Sequence, residues 1–144
     1  MSGFSYPAVF SREVKGAFTV TFPDLPEAIT SGRNLADARE QAADCLQEAL
    51  AGRIVRREPI PRPSRPKREQ FLIQPAFYLV PKLALYVAMR EKGVNNIQLA
   101  RLLGVSETVV RRLLNPHHDS KPERMQAALK VLGKRLFVAV EDAA

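Results

Sequence analysis

The stretch NNIQLARLLGVSETVVRRLLNP, residues 95–116, decides how the C-terminal half of this chain folds. Its apolar residues recur where two short helices joined by a tight turn must contact each other, and Gly104 lies where that turn needs a positive φ. Asn95 and Gln98 are placed to cap the first helix reciprocally, and Ser106 to cap the second. The spacing therefore predicts a helix-turn-helix. The contacting positions are Leu99, Leu103, Val105, Val110 and Leu113.

The second helix of this pair is predicted to leave a polar, arginine-rich face exposed, because its valines and leucines at 109, 110, 113 and 114 turn inward. A recognition helix offers a face of this kind to the DNA major groove. The alternative is an ordinary pair of packed helices whose arginines are only solvated. The predicted DNA-binding residues are Gln98, Ser106, Glu107, Thr108, Arg111 and Arg112.

Charge is distributed unevenly along the 144 residues, whose net charge is +7. Residues 1–53 carry five Lys and Arg against seven Asp and Glu, whereas residues 54–144 carry seventeen against eight. A basic half favours a polyanionic partner such as nucleic acid. The acidic half then predicts a second module with a different partner.

The single cysteine, Cys45, excludes an intramolecular disulfide and favours a reducing compartment. It lies on the apolar stripe of a predicted helix, where it serves as a small core residue. The longest apolar stretch, residues 76–89, is interrupted by Pro81 and Lys82 and is too short to span a bilayer. We therefore expect a cytoplasmic protein with no membrane association.

The N-terminal module, residues 1–53, shows strand periodicity followed by helix periodicity. Apolar residues alternate over 4–10 and again over 18–22, which predicts a hairpin, and 28–31 form a possible third strand. Asn34 then caps an amphipathic helix that ends near Gly52. A sheet this small leaves a strand edge or apolar surface exposed, which invites a partner.

Residues 54–69 contain four prolines and six basic residues and few apolar ones. This composition predicts a stiff, extended linker, either a solvated spacer or a segment that lies along phosphates. In the C-terminal domain, residues 70–144, we expect a helix over 82–92 and a reciprocal cap between Ser120 and Glu123. The strand-like residues 136–140 are predicted to pair with 71–73, within one chain or across a dimer.

Three segments, in their order, resemble a known family. FTVTFPDLPEAITSGRNLADAREQAADCLQEAL (18–50), IPRPS (60–64) and the region from PKLALYVAMREKG to RLFVAV (81–140) look like a HicB-family antitoxin with a C-terminal helix-turn-helix. The resemblance covers almost the whole chain. It implies an α+β fold: a partial RNase-H-like β-β-β-α module, a Pro-rich linker, and a lambda-repressor-like helix-turn-helix domain with a short flanking β-sheet.

The resemblance also implies two partners. The N-terminal module of this family binds and masks a small basic mRNA-cleaving toxin of the HicA family. The C-terminal module binds operator DNA as a homodimer, possibly joined into a tetramer, and represses its own operon. For the toxin-facing surface the candidates are the exposed strand edge and the acidic residues Asp24, Asp37, Glu40, Asp44 and Glu48.

We expect no enzymatic activity, no cofactor and no metal. The carboxylates near the predicted strands, Glu13, Asp24 and Glu27, are not paired at the spacing that a two-metal nuclease needs, and Asp24 between two prolines is typical of a turn cap. His117 and His118 are adjacent in sequence, so their side chains point in different directions. This disfavours a metal site formed by the two histidines together. The alternative functions are a stand-alone repressor that senses a small molecule and a nuclease targeted by a DNA-binding domain.

Overall fold

A computed structural model describes residues 3–143, and the chain divides after Val80 into two compact units. The mixed α+β class is confirmed. The first unit contains strands β1 (Tyr6–Arg12), β2 (Phe18–Thr21), β3 (Ile29–Gly32) and β4 (Gln70–Ile73) with helix α1 (Leu35–Val55). The second contains α3 (Asn96–Leu103), α4 (Glu107–Leu114), α5 (Pro122–Val131) and most of α2 (Leu79–Lys92).

The four strands form one antiparallel sheet in the order β3-β2-β1-β4. The predicted hairpin is present, with Phe10 opposite Val20, and the possible third strand is confirmed by the pairing of Val20 with Thr30. Strands β3 and β4 are the two edges of this sheet.

Helix α1 covers one face of the sheet through a stripe of small and aliphatic side chains. The predicted cap is confirmed, since the Asn34 side chain accepts from the Asp37 amide. At Gly32 a Cβ would lie 2.3 Å from the Ala38 amide nitrogen, so only glycine lets β3 and α1 approach this closely. The helix ends at Val55 rather than near Gly52, because the stripe continues to Ile54. The buried positions are Ala38, Ala42, Leu46, Leu50, Ala51 and Ile54.

The Pro-rich segment is not the free spacer that the sequence predicted. The buried Tyr6 hydroxyl donates to the Pro61 carbonyl at 2.7 Å, because a buried phenol needs a partner and this irregular segment offers unpaired carbonyls. Asp24, expected to cap its own turn, accepts instead from the Ser64 amide at 2.9 Å and from its hydroxyl at 3.1 Å. The segment is thus fastened to the first unit.

A bidentate ion pair also fastens the end of α1 to the turn after β2. The Glu27 carboxylate accepts from the Arg53 guanidinium at 2.6 and 2.9 Å, and Arg53 donates further to the Pro59 carbonyl at 3.0 Å. These hydrogen bonds from Arg53 hold the pKa of Glu27 at about 2, below its usual 4.5. The carboxylate is therefore charged in the folded state at pH values where the unfolded chain has already bound a proton.

We expect Glu27→Gln to lower the free energy of unfolding of the first unit at pH 7 by about 1 kcal/mol, a value discounted for solvent screening. A lowered carboxyl pKa stabilises above pH 4.5, and that contribution disappears as the pH falls toward 2. Urea unfolding at pH 7 and near pH 2 measures the difference between variant and wild type. Glu40→Gln, an exposed carboxylate on the same unit, is the control. An equal loss from Glu27→Gln at both pH values would contradict the role of the charge.

The predicted pairing of 71–73 with 136–140 is not formed within one chain, and its alternative, pairing across a dimer, stays a prediction. Strand β4 pairs with β1, placing Ala8 opposite Phe71 and Tyr6 opposite Ile73, so it belongs to the first unit and not to a C-terminal domain starting at residue 70. Among the residues that the structure describes, 134–143 form no strand, and the flanking sheet predicted for the C-terminal domain is absent there.

The second unit is a helical bundle around the predicted helix pair. The reciprocal cap between Asn95 and Gln98, the left-handed Gly104 at φ 66° and the Ser106 cap are all confirmed. Val105, predicted to contact the partner helix, is 38% exposed instead. The core consists of Leu85, Ala88, Met89, Leu99, Ala100, Val110, Leu113, Met125, Ala128, Leu129 and Leu132.

The reciprocal cap predicted between Ser120 and Glu123 is wrong. Helix α5 begins at Pro122 with Lys121 as its N-cap residue, and no side-chain cap is formed there. Proline at the first position already fixes the backbone for a helix start and has no amide to cap. The Ser120 hydroxyl is committed elsewhere, to the Arg112 carbonyl and the Lys82 ammonium.

Candidate functional site

Helix α4 presents the polar face that its periodicity predicts. Thr108, Arg111 and Arg112 are exposed, while Val110 and Leu113 are buried in the core of the second unit. Gln98 and Ser106 are exposed too, and both are engaged in helix caps: the Gln98 side chain accepts from the Asn95 amide and the Ser106 hydroxyl from the Val109 amide. The six predicted residues therefore lie on α3, on α4 and at the turn between them.

Glu107 and Arg111 form an ion pair on this face, with Arg111 Nη2 at 3.1 Å from Glu107 Oε1. An exposed pair of this spacing stabilises a helix by about 0.3–0.5 kcal/mol, so an incoming anion can displace the carboxylate at small cost. The pair holds the guanidinium along the helix, beside the exposed Arg112. Both arginines are thus available to a polyanion.

A buried lysine supports the far end of α4. The Lys82 side chain is 2% exposed, and its ammonium donates to the carbonyls of Arg112 and Leu113 at 3.1 and 3.0 Å and to the Ser120 hydroxyl at 2.9 Å. The last carbonyls of a helix have no intrahelical partner and carry a partial negative charge, so a cation there fixes the helix end. Burial lowers the pKa of Lys82 to about 8. The negative charge of Asp119 has a smaller and opposite effect on this pKa.

Sequence reasoning missed this lysine, although a signal was present. Lys82 follows Pro81 in the first turn of α2, and Leu85, Tyr86 and Met89 follow it at helical spacing as buried residues. A single lysine on an otherwise buried stripe must find acceptors inside the protein. The identity of those acceptors, two carbonyls about 30 residues away, was not readable from that stripe.

Helix α1 carries an exposed row of three carboxylates, Glu40, Asp44 and Glu48, spaced one turn apart on the face directed away from the sheet. The other two predicted acidic residues are engaged within the unit. The Asp37 carboxylate accepts from the Arg33 amide at 2.8 Å, which lowers its pKa, and Asp24 holds Ser64. We call Glu40, Asp44 and Glu48 the acidic row.

The face of the sheet opposite α1 and the outer edge of β3 are further candidates for contact. Ile29 and Leu72 point to this opposite face and are 62% and 53% exposed. Edge strands with unpaired backbone groups readily accept another strand. The exposed edge expected from the sequence is therefore present at β3, the strand next to the start of α1.

Within 3–143, no group of three or more His, Cys, Asp or Glu side chains is arranged to hold a metal ion. A depression beside β3, lined by Ala17, Ser31, Gly32, Arg33, Asp37 and Gln41, is shallow and open to solvent. No helix in this part of the chain is long and apolar enough to cross a membrane.

Comparison with known proteins gives the family. A family model described as a HicB-like antitoxin of bacterial toxin-antitoxin systems matches residues 5–82, from just before β1 to the start of α2. The chain belongs to the HicB-like antitoxins. This match includes the Pro-rich segment and β4, in agreement with their attachment to the first unit.

Curated relatives extend the similarity over both units. The chain is 34% identical over 135 residues to Antitoxin HicB of Escherichia coli strain K12, covering 94% of this chain and 98% of that protein. It is 36% identical over 131 residues to Antitoxin HicB 2 of Photorhabdus laumondii, covering 91% and 92%. Antitoxin HicB of Pseudomonas fluorescens is 33% identical over 142 residues, covering 97% and 96%. An antitoxin role in a toxin-antitoxin system follows from the family.

Proposed function

We propose that this HicB-like antitoxin binds and neutralises a HicA-like mRNA interferase toxin through its first unit and represses its own operon through its second. The observation that carries the proposal is the separation of two unlike surfaces. The acidic row and the β3 edge lie on one unit, and an arginine-bearing helix pair lies on the other. In this proposal the chain acts by binding its partners and catalyses no reaction. Its proposed site of action is the cytoplasm.

Toxin inhibition in this proposal is steric and electrostatic. A toxin that binds RNA needs a basic surface, and the acidic row is complementary to such a surface. The β3 edge offers main-chain hydrogen bonds to a strand of the partner, while charge steers the encounter. From the family resemblance we also propose that the first unit has a partial RNase-H-like fold.

Operator binding in this proposal uses α3 and α4 as a helix-turn-helix. Two copies in a homodimer place their α4 helices about 34 Å apart, one turn of B-DNA, on a palindromic operator. Arg111 and Arg112 contact phosphates or guanine edges, and Glu107 and Thr108 face the neighbouring bases. Gln98 and Ser106, at the starts of the two helices, lie where backbone phosphates pass.

Replacing the acidic row with lysine (Glu40→Lys, Asp44→Lys, Glu48→Lys) is expected to weaken binding to the basic toxin at least a hundredfold, because like charges then face each other. Operator binding is expected to stay within about twofold. Calorimetric titration of the toxin and fluorescence anisotropy with operator DNA measure the two affinities. The control is Glu123→Lys on α5, which reverses one exposed carboxylate of the second unit. Unchanged toxin affinity in the folded triple variant would refute the role of the acidic row.

A further inference from the structure

The Pro-rich segment concentrates positive charge on the same unit that carries the acidic row. Four exposed cations lie within the seven residues 62–68, and Glu69 is the only carboxylate between residues 59 and 69. None of the four forms an ion pair within the part of the chain that the structure describes. We call these residues the basic ridge: Arg62, Arg65, Lys67 and Arg68.

Prolines restrict the backbone beneath this ridge. A proline fixes its own φ at about −65° and holds the residue before it in extended or polyproline II conformations. The prolines at 59, 61, 63 and 66 therefore restrict eight of the nine residues 58–66, all except Ser64. The structure forms neither helix nor strand over residues 58–67. The backbone that carries the ridge has few conformations open to it.

The contacts of the segment repeat at every third residue, which is the period of a polyproline II helix. The Pro61 carbonyl accepts from the Tyr6 hydroxyl, and three residues later Ser64 donates its amide and its hydroxyl to a carboxylate of the first unit. The residue after each of these anchors is an exposed arginine, Arg62 or Arg65. The hydrogen bonds that fasten the segment thus leave its arginines exposed to solvent.

We propose that the basic ridge is a second DNA contact, which binds the phosphate backbone of the duplex flanking the operator. Duplex DNA presents closely spaced phosphates whatever its sequence, and a row of cations neutralises them without reading bases. Because the backbone beneath the ridge is already restrained, ordering it on binding costs little conformational entropy. This inference rests on the proposed operator binding by α3 and α4.

Chain connectivity keeps the ridge close to a bound operator. Ten residues separate Arg68 from Leu79, the first residue of α2, and this length of chain spans at most about 40 Å. That distance corresponds to about 12 base pairs of duplex. Once the second unit is bound, the ridge therefore meets the flanking phosphates at high effective concentration. A free RNA lacks this advantage, which favours DNA as the occupant.

The length of the DNA tests the ridge on the full chain. One probe is the operator duplex trimmed to its palindrome, and the other extends it by about 15 base pairs of random sequence on each side, which exceeds the reach of the chain. We expect the wild type to bind the extended duplex at least about tenfold more tightly. Arg62→Gln with Arg65→Gln is expected to lose most of this preference and to lower the magnitude of the salt slope by about 1.8 per chain, about 0.9 for each phosphate contact.

Two control variants separate the ridge from net charge and from folding. Arg62→Lys with Arg65→Lys keeps both charges, so it is expected to keep the preference for the extended duplex. Arg12→Gln with Lys15→Gln removes two exposed charges elsewhere on the first unit and is expected to leave the preference unchanged. Circular dichroism compares the fold of each variant with that of the wild type.

The possible outcomes distinguish the ridge from the proposed function. Equal wild-type affinity for the two duplexes, or equal losses in the glutamine variant and the control at 12 and 15, would overturn the ridge. So would a glutamine variant that loses affinity for the toxin or for a single-stranded RNA while it keeps the preference for the extended duplex. The proposed function fails separately, if removal of the α4 arginines leaves the affinity for the trimmed operator unchanged.

Discussion

Replacing Arg111 and Arg112 together with alanine is expected to weaken operator binding at least a hundredfold while toxin binding stays unchanged. Each arginine that contacts a guanine edge or a phosphate contributes about 1–3 kcal/mol, and a factor of ten corresponds to about 1.4 kcal/mol. Both side chains are exposed, so their removal leaves the core of the second unit intact. Anisotropy titration at fixed salt and calorimetry with the toxin measure the two affinities.

A matched control for this double variant removes two positive charges from another helix of the same unit. Arg124 and Lys130 are exposed on α5, and their joint replacement by alanine makes the same change in net charge. We expect that control to lose less than tenfold in operator affinity. Equal losses in the two double variants would assign binding to net charge instead of α4, and a parallel loss of toxin binding would contradict the two-surface account.

Lys82→Met is expected to lower the free energy of unfolding of the second unit by about 3 kcal/mol and to weaken operator binding with it. Methionine keeps the length and apolar volume of the side chain but removes the ammonium donor from the Leu113 carbonyl and the Ser120 hydroxyl. The Arg112 carbonyl also loses this donor but still accepts from the Ser120 hydroxyl. Each buried acceptor left unsatisfied costs about 1–3 kcal/mol. Urea unfolding measures the loss, and Lys130→Met on the exposed face of α5 is expected to change it by less than about 0.5 kcal/mol.

The titration of Lys82 makes the free energy of unfolding of the second unit depend on pH, and the sign of this dependence follows from its pKa. Its pKa is about 8 in the folded chain and 10.5 unfolded, so between these values the unfolded state binds more protons. The contribution of Lys82 to the free energy of unfolding therefore increases from pH 8 to pH 10.5. Burial raises the pKa of Tyr6 in the first unit, which acts oppositely above pH 10, so the wild type is compared with Lys82→Met at each pH. An identical pH profile in both proteins would contradict this assignment.

Local signals determined most of the elements that the sequence predicted correctly. Asn34, Asn95 and Ser106 cap helices through their own neighbours, and Gly104 adopts the positive φ that the turn needs. These features involve residues three or four apart, so they are readable from a short window of sequence. The exposure of Arg112 and of the acidic row follows from helical periodicity in the same way.

Long-range pairings were not readable in this way. Strand β4 has four residues, and its apolar pattern is compatible with pairing to β1 as well as to the segment 136–140. The pairing with β1 became evident only from the folded sheet. The Pro-rich segment reads as a linker by composition, but the buried Tyr6 hydroxyl requires an acceptor and finds Pro61. Lys82 and Ser120 meet at the end of α4 from positions 38 residues apart. Partner choice among chemically similar candidates depends on tertiary packing.

The central claim is that the first unit of this antitoxin binds a toxin protein. The most direct measurement is a gentle purification of the tagged full-length chain from its native cell, followed by identification of stoichiometric partners, in parallel with the acidic-row lysine variant. We expect a single small basic protein at one copy per chain with the wild type and its loss with the variant. Recovery of DNA alone, or of the same protein with both chains, would contradict the account.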